Sequence, residues 1–220
     1  MHLLVKMISI QGTVRENRYL QVSAEPWFSA QSVKKVRHYT KTREGKYDRC
    51  RAHKACKEQP IGVYYGRIKD AFAPIIKAKI EAMDGEVVGT YYAPDDESFI
   101  ESRLRELLNA GADLLITTGG MSVDPDDVTR FAIRNIGVED ITYGSAVLPG
   151  AMFLVTYLGD TPILGIPACG MYAKTTIFDL ILPRVLAGEK VGRKDLAELG
   201  HGGLCMKCGI CNYPVCPFGK

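Results

Sequence analysis

The sequence contains no apolar run as long as the ~18 residues that a membrane-spanning helix needs. Its first residues also lack the longer apolar stretch of a secretory signal. Cysteines are sparse outside one segment, since four of the seven lie within residues 205–216, whereas a secreted disulfide framework would distribute them along the chain. We therefore expect a soluble, cytoplasmic protein with no membrane contact.

Charge is distributed unevenly along the chain. Residues 1–60 hold 13 Lys and Arg against 5 Asp and Glu, although the formal net charge of the whole chain is only +3. A basic segment on an acidic body can contact nucleic acid, but residues 34–57 have few aromatics and no recognisable motif, so that function ranks low. We predict that residues 1–61 form a basic, poorly patterned N-terminal extension, in which residues 3–10 could form a short strand.

Beyond residue 62, helical and strand-like segments alternate. This alternation predicts an α/β fold, a three-layer αβα sandwich with a mostly parallel sheet, over residues 62–192. The continuous apolar segment Leu114–Thr118 is typical of a buried parallel strand. The other predicted elements are a helix over 68–83 ended by Asp84-Gly85, a strand over 86–92, a helix opened by a Ser98-x-x-Glu101 capping box, a helix from Asp124-Pro125 to about Asn135, strands over 152–158 and 163–166 joined by Gly159-Asp160, and a helix over 172–186 that is interrupted or ended near Pro183.

The loop over residues 117–127 follows the buried strand, where ligand sites of such sheets lie. Two glycines allow a ligand to approach the backbone, and the next helix offers unpaired N–H groups to an anion. Asp124, Asp126 and Asp127 would repel a phosphate unless a cation such as Mg²⁺ bridged them. A second acidic turn, Pro94-Asp95-Asp96, also links a strand to a helix. Helix capping alone is the alternative explanation for both turns.

These residues resemble a known family. Residues 117–129 resemble the molybdopterin-binding domain shared by molybdenum cofactor biosynthesis enzymes, among them molybdopterin adenylyltransferase and molybdopterin molybdotransferase. Residues 65–70, 93–96 and 165–171 extend the resemblance over about 62–190. The family domain opens with an apolar strand, whereas residues 51–63 contain Lys, Glu and Pro and do not form a credible central strand.

The resemblance implies a function in molybdenum cofactor biosynthesis through binding of the phosphorylated pterin. It implies Mg²⁺-dependent adenylyl transfer from ATP or molybdate insertion, often in a trimer, with Asp95 and Asp127 as catalytic residues. The pterin-binding residues that it implies are Asp70, Thr118, Gly119, Gly120, Ser122, Asp124 and Pro167. The alternative is a non-catalytic carrier or sensor module that holds the cofactor for a molybdoenzyme partner, with the tail as a docking element.

The chain ends in a cysteine-rich segment, residues 193–220, which we predict to bind a metal. Its spacing is Cys205-x2-Cys208-x2-Cys211-x4-Cys216-Pro217. Four thiolates suit tetrahedral Zn²⁺ and also a [4Fe–4S] cluster, although the last gap is one residue longer than in the bacterial ferredoxin run. A segment this short cannot build its own core, so a metal would supply its folding energy; a flexible reduced tail is the alternative. Cys169 is interpreted as a small buried residue, and the set of Cys50, His53 and Cys56 as accidental.

Overall fold

The computed structural model describes residues 5–10, 70–121 and 128–220. These residues form one six-stranded sheet with helices on both faces. The strands are β1 (Val5–Ile10), β2 (Val87–Ala93), β3 (Leu114–Thr118), β4 (Ile141–Tyr143), β5 (Leu154–Leu158) and β6 (Thr161–Ile166). The helices are α1 (Phe72–Glu81), α2 (Glu97–Asn109), α3 (Thr129–Asn135), α4 (Ile177–Leu186) and α5 (Arg193–Glu198), with a 3-10 turn over Ala168–Met171.

The sheet is mixed, with the strand order β2-β1-β3-β6-β5-β4. Only the β3–β6 pair is parallel, and the other four pairs are antiparallel. The α/β class is confirmed, but the expectation of a mostly parallel sheet is wrong. One reason is that the Gly159-Asp160 turn joins β5 to β6 as a hairpin, and a two-residue connection can only join antiparallel strands. The other reason is that β1 runs against both of its neighbours.

Strand β1 occupies a central position between β2 and β3. In the register, Val5 faces Ala93 on one side and Lys6 faces Thr118 on the other. The segment expected to be an extension therefore supplies a central strand, which residues 51–63 could not supply by their sequence. Residues 11–69, which include the basic stretch and the expected boundary at 62, lie outside the described residues.

Two apolar layers pack on opposite faces of the sheet. Leu114 and Ile116 of β3 point into one layer and Leu115 into the other, because successive side chains of a strand alternate between faces. The first layer contains residues of α1, α4 and α5, and the second contains residues of α2 and α3. The sandwich of three layers is thus confirmed. Among the helices of the described ranges, none combines the length and the apolar character that crossing a bilayer requires.

Three helices begin at other residues than the sequence predicts. Helix α1 begins at Phe72 rather than at residue 68, since residues 70 and 71 are not helical. Helix α2 is capped by Asp96, whose side chain accepts from the backbone N–H of Phe99, so Ser98 lies inside the helix. Helix α4 begins only at Ile177, after a capping box of Thr176 and Asp179. Pro183 lies inside α4 without ending it. Proline lacks an N–H, so the carbonyl of Asp179, four residues earlier, loses its usual helical donor.

Candidate functional site

The carboxyl ends of β2, β3 and β6 meet at one edge of the sheet. Ala93 and Thr118 flank the start of β1, and Thr118 pairs with Ile166 of β6. Strands lie about 4.8 Å apart, so the turn after β2 stands about 10 Å from the loop after β3, and Pro167 about 5 Å from it. The structure therefore brings Asp95, Gly119, Gly120 and Pro167 together at what we call the glycine edge.

The two glycines of this edge have backbones that other residues rarely adopt. Gly119 has φ of 89° and Gly120 has φ of 59°, so both lie in the region that favours glycine. The preceding threonines are buried in the sheet rather than presented at its surface. The Thr117 hydroxyl donates to the carbonyl of Leu164 at 3.3 Å. The glycine edge thus offers backbone rather than the Thr117 hydroxyl to a ligand.

The loop after Gly120 is fixed at both ends by contacts that the sequence analysis did not identify. At its start, the Tyr143 hydroxyl donates to the carbonyl of Met121 at 2.9 Å, and Met121 itself is buried. At its far end, the Thr129 hydroxyl donates to the carbonyl of Gly119 at 3.2 Å. Ser122, Asp124 and Asp127, which lie between these ends, are outside the described residues, and their predicted roles stay predictions.

Gly165 of β6 makes room for this loop. A methyl group added at Gly165 would overlap Met121 Cε and would stand 2.9 Å from Leu154 Cβ. A glycine inside a strand often marks a close approach of this kind, and that signal was present in the sequence. What the sequence could not supply is the partner, because Met121 meets Gly165 only through the β3–β6 pairing.

The two acidic residues after β2 differ in environment. Asp96 is exposed, and its carboxylate accepts from Ser98 Oγ at 2.6 Å and from the Phe99 N–H at 2.8 Å. These hydrogen bonds hold the pKa of Asp96 below its usual value, so helix capping accounts for this residue. Asp95, which precedes this cap, is partly buried, and its Oδ1 atom is fully enclosed.

Asp70 has a structural task at the start of α1. Its Oδ1 accepts from the N–H groups of Phe72 and Ala73, at 2.9 and 3.1 Å. Its Oδ2 accepts from the Tyr92 hydroxyl at 2.9 Å, and burial together with this carboxylate raises the pKa of Tyr92. The structure therefore gives Asp70 a capping function, and its pterin-binding role stays a prediction.

The cysteines of the tail do not converge on one point. Within residues 5–10, 70–121 and 128–220, no three His, Cys, Asp or Glu side chains are arranged to hold a single metal ion. Instead, all five described cysteines line one cavity of about 530 Å³, which we call the cysteine cavity. None of the five is in a disulfide. Its members are Cys169, Cys205, Cys208, Cys211 and Cys216.

A threonine hydroxyl in the wall of the cysteine cavity contacts one of the thiols. Cys211 Sγ and the Thr175 hydroxyl lie 3.4 Å apart, and this hydrogen bond lowers the pKa of Cys211. Cys169, expected to be a small buried residue, is only partly buried and faces the cavity from the 3-10 turn after β6. The sequence contains the four tail cysteines and Cys169 far apart along the chain. It does not reveal that these five residues line one cavity.

The three-layer fold and the glycine edge define an α/β ligand-binding domain. Residues 61–187 match the family described as "Probable molybdopterin binding domain". The match covers more than half of the chain. The chain belongs to this molybdopterin-binding domain family of molybdenum cofactor biosynthesis.

Individual relatives agree with this assignment. A molybdopterin molybdenumtransferase of Haemophilus influenzae is 29% identical over 131 residues, which are 59% of this chain and 32% of that protein. A molybdopterin adenylyltransferase of Pyrococcus furiosus is 29% identical over 79 residues, which are 36% of this chain and 46% of that protein. The matched region thus spans less than half the length of these relatives.

Among solved structures, the molybdopterin biosynthesis enzyme MoaB from Thermus thermophilus matches 58% of this chain and 91% of its own length. The sequence identity is 21% and the TM-score is 0.41. This overall likeness is loose, and the fold assignment rests on the strand pairing and the two apolar layers.

Proposed function

We propose that this chain binds the phosphorylated pterin at the glycine edge and catalyses a Mg²⁺-dependent step of molybdenum cofactor biosynthesis. The step is adenylyl transfer from ATP or insertion of molybdate. The observation that carries the proposal is that Gly119, Gly120 and Asp95 share one sheet edge in a member of the molybdopterin-binding family. One matching relative is named a molybdopterin molybdenumtransferase and another a molybdopterin adenylyltransferase.

Binding would rest on the backbone of the glycine edge. The absence of side chains at Gly119 and Gly120, both at positive φ, lets a phosphate approach the main chain closely. The fixed ends of the loop, through Tyr143 and Thr129, hold that backbone in place before the ligand arrives. A preformed site loses less conformational entropy on binding.

Catalysis would rest on carboxylates. Asp95 suits a hard cation, since Mg²⁺ prefers oxygen ligands and usually binds through one or two carboxylates and substrate phosphates. Asp95, with Asp127 from the loop, would hold Mg²⁺, which would neutralise charge on the transferred phosphoryl group or molybdate. The chain's own contribution is to orient the pterin and the second substrate on one rigid edge.

The remaining assignments belong to the same proposal. We infer that the chain acts as a homo-oligomer, for which the resemblance suggests a trimer. We also infer that the cysteine-rich tail binds a metal, as Zn²⁺ or as a [4Fe–4S] cluster. A molybdoenzyme would be the partner that receives the product.

The test compares two adjacent carboxylates. Purified chain is mixed with molybdopterin and either Mg-ATP or molybdate, and adenylated pterin or finished cofactor is quantified. Asp95→Asn should lower turnover about 100-fold, the size of effect seen when one preorganised electrostatic group is removed, with pterin affinity retained. Asp96→Asn is the matched control, because asparagine also caps helices well, and its turnover should stay unchanged.

Three results would contradict the proposal. Equal loss in both variants would mean that Asp95 acts only through the fold of the turn. Tight pterin binding without turnover in the unmutated chain would sink the catalytic part and leave the carrier or sensor function instead. A pterin titration that shows no binding would sink both.

A further inference from the structure

The cysteine-rich tail is a closed loop fastened to the domain. The Gly219 N–H donates to the carbonyl of Gly202 at 2.9 Å, which closes the loop on itself. The Cys205 N–H donates to the carbonyl of Leu148 at 2.8 Å. Phe218 is 4% exposed and lies within the first apolar layer. The tail thus has a fixed position on the domain, although its own core is small.

A proline in the domain provides a further attachment for the tail. Pro183 leaves the carbonyl of Asp179 without its usual helical donor. The Tyr213 hydroxyl of the tail donates to this carbonyl at 2.8 Å. The carboxylate of the same Asp179 accepts from Lys79 of α1 at 2.6 Å. Residues of α4 therefore help to determine where the tail docks.

The cysteine cavity lies between this loop and the domain. The tail contributes the four thiols of the Cys-x2-Cys-x2-Cys-x4-Cys run, and the domain contributes Cys169 and the segment from Tyr172 to Thr175. The volume of about 530 Å³ is far larger than the ~30 Å³ that one water molecule occupies in the liquid. The thiols therefore line a space large enough for a group of several atoms.

We propose that the cysteine cavity holds a [4Fe–4S] cluster ligated by the thiolates of Cys205, Cys208, Cys211 and Cys216, with Cys169 as a wall residue that is not a ligand. Each of the four thiols loses its proton to solvent and forms one Fe–S bond, and equal amounts of ferrous and ferric iron with inorganic sulfide supply the cluster core, so that no oxidant is needed. The inference rests on the proposed metal binding of the tail and is independent of the proposed pterin chemistry.

The geometry favours a cluster over a single zinc ion. In a structural zinc site, four sulfurs close around one ion at about 2.3 Å and leave no open space. Here the four tail thiols line a cavity of about 530 Å³, which leaves room for more than one metal ion. A [4Fe–4S] cluster places four irons and four sulfides between its cysteines, so its ligands stand farther apart than those of one zinc.

Cys169 of the cysteine cavity lies close in sequence to the glycine edge. Cys169 stands two residues after Pro167, which lies at the glycine edge beside β3. Its carbonyl accepts from the Ala173 N–H at 2.9 Å, so the short turn is held rigidly. All four cysteines of the tail run line the same cavity, and four thiolates complete the ligand set of one [4Fe–4S] cluster. Cys169 therefore lines the cavity from the side of the domain, two residues along the chain from the glycine edge.

The experiment uses the full chain, purified without oxygen and incubated with equal amounts of ferrous and ferric iron and with sulfide. We expect a brown protein with about four irons and four sulfides per chain, a broad visible absorption band, and an electron paramagnetic resonance signal after chemical reduction. Cys208→Ser and Cys216→Ser should each lower bound iron by at least half. Cys169→Ser, the matched control, should retain the iron and the spectrum. Cys208 is the exposed thiol, so its variant separates loss of a ligand from loss of folding.

Three outcomes would overturn the inference. A colourless protein with one zinc per chain would contradict the cluster but leave the tail as a metal site. A chain that binds neither metal would overturn the cluster and the metal-binding tail together. Retention of iron by Cys216→Ser with its loss in Cys169→Ser would contradict the ligand assignment. None of these results depends on pterin binding, which the same samples can be tested for separately.

Discussion

The glycine edge and the cysteine cavity are two residues apart at Pro167 and Cys169, yet they are built in opposite ways. The edge consists of backbone at the ends of hydrogen-bonded strands, and it lies within the family match over residues 61–187. The cavity is lined by side chains that include five thiols, four of which belong to the tail beyond that match. The comparison shows that the cavity lies where the tail, which is outside the family match, docks on the family domain.

The two regions should also differ in how firmly they are held. The glycine edge is backed by buried packing of Met121 against β5 and β6. The tail is held by two buried side chains, Leu196 and Phe218, by partly buried side chains that pack against the same layer, and by hydrogen bonds. We expect the edge to keep its form without ligand, whereas the tail gains much of its stability from metal.

Among the changes that distinguish the two regions, Gly165→Ala should have the largest effect. It alters the packing behind the glycine edge and leaves the cysteine cavity unchanged. The added methyl group would overlap Met121 Cε and Leu154 Cβ, and overpacking of a core typically costs about 1–3 kcal/mol. Displacement of Met121 would also move the loop, so pterin affinity should fall at least about tenfold, equivalent to about 1.4 kcal/mol. Denaturant unfolding and a pterin titration measure the two effects, and iron content should not change.

Gly209→Ala is the control for adding one methyl group, because nothing lies within 4 Å of its added carbon. Its pterin affinity should match that of the unmutated chain. If Gly165→Ala binds pterin normally while losing stability, the packing behind the loop does not position the ligand, and the edge is more tolerant than we infer.

A smaller effect is expected from Tyr143→Phe. This change removes the hydrogen bond to the carbonyl of Met121, and such bonds contribute about 1 kcal/mol. If that bond organises the loop, pterin affinity should fall about fivefold, as measured by calorimetric titration. Tyr157→Phe is the control, since its hydroxyl accepts from the Val191 N–H at 2.7 Å, outside the glycine edge. Equal loss of affinity in both variants would mean that the effect is general destabilisation.

Local sequence patterns were sufficient to predict secondary structure where a segment's own residues determine it. The apolar run Leu114–Thr118 predicted a strand with the observed bounds, and Gly159-Asp160 predicted the hairpin between β5 and β6. The direction of β1 could not be predicted, because it depends on pairing with strands far along the chain. The start of α4 had a local signal, the Thr176-x-x-Asp179 capping box, which was obscured by the apolar residues before it.

The two sites were predictable to different degrees. The glycines and Asp95 of the edge were found because their spacing next to strand ends is itself informative. The contacts that hold the edge, Met121 with Gly165 and with Tyr143, arise only from strand pairing. Likewise, the spacing of the tail cysteines could be read from the sequence. That Cys169 lines the same cavity could not, because it depends on where the tail docks.

The smallest expected effect concerns the tail alone and tests its attachment by pH. Burial raises the pKa of Tyr213 from 10.0 to about 12, so the folded state holds the hydroxyl proton more tightly than the unfolded state. The stabilising contribution is therefore complete below pH 10 and disappears as the pH rises towards about 12. The difference in tyrosinate absorbance between the unmutated chain and Tyr213→Phe should titrate near pH 12. A midpoint near the ordinary value of 10.0 would mean that Tyr213 is not docked on Asp179, and the tail would then lack the attachment that sets it over the cysteine cavity.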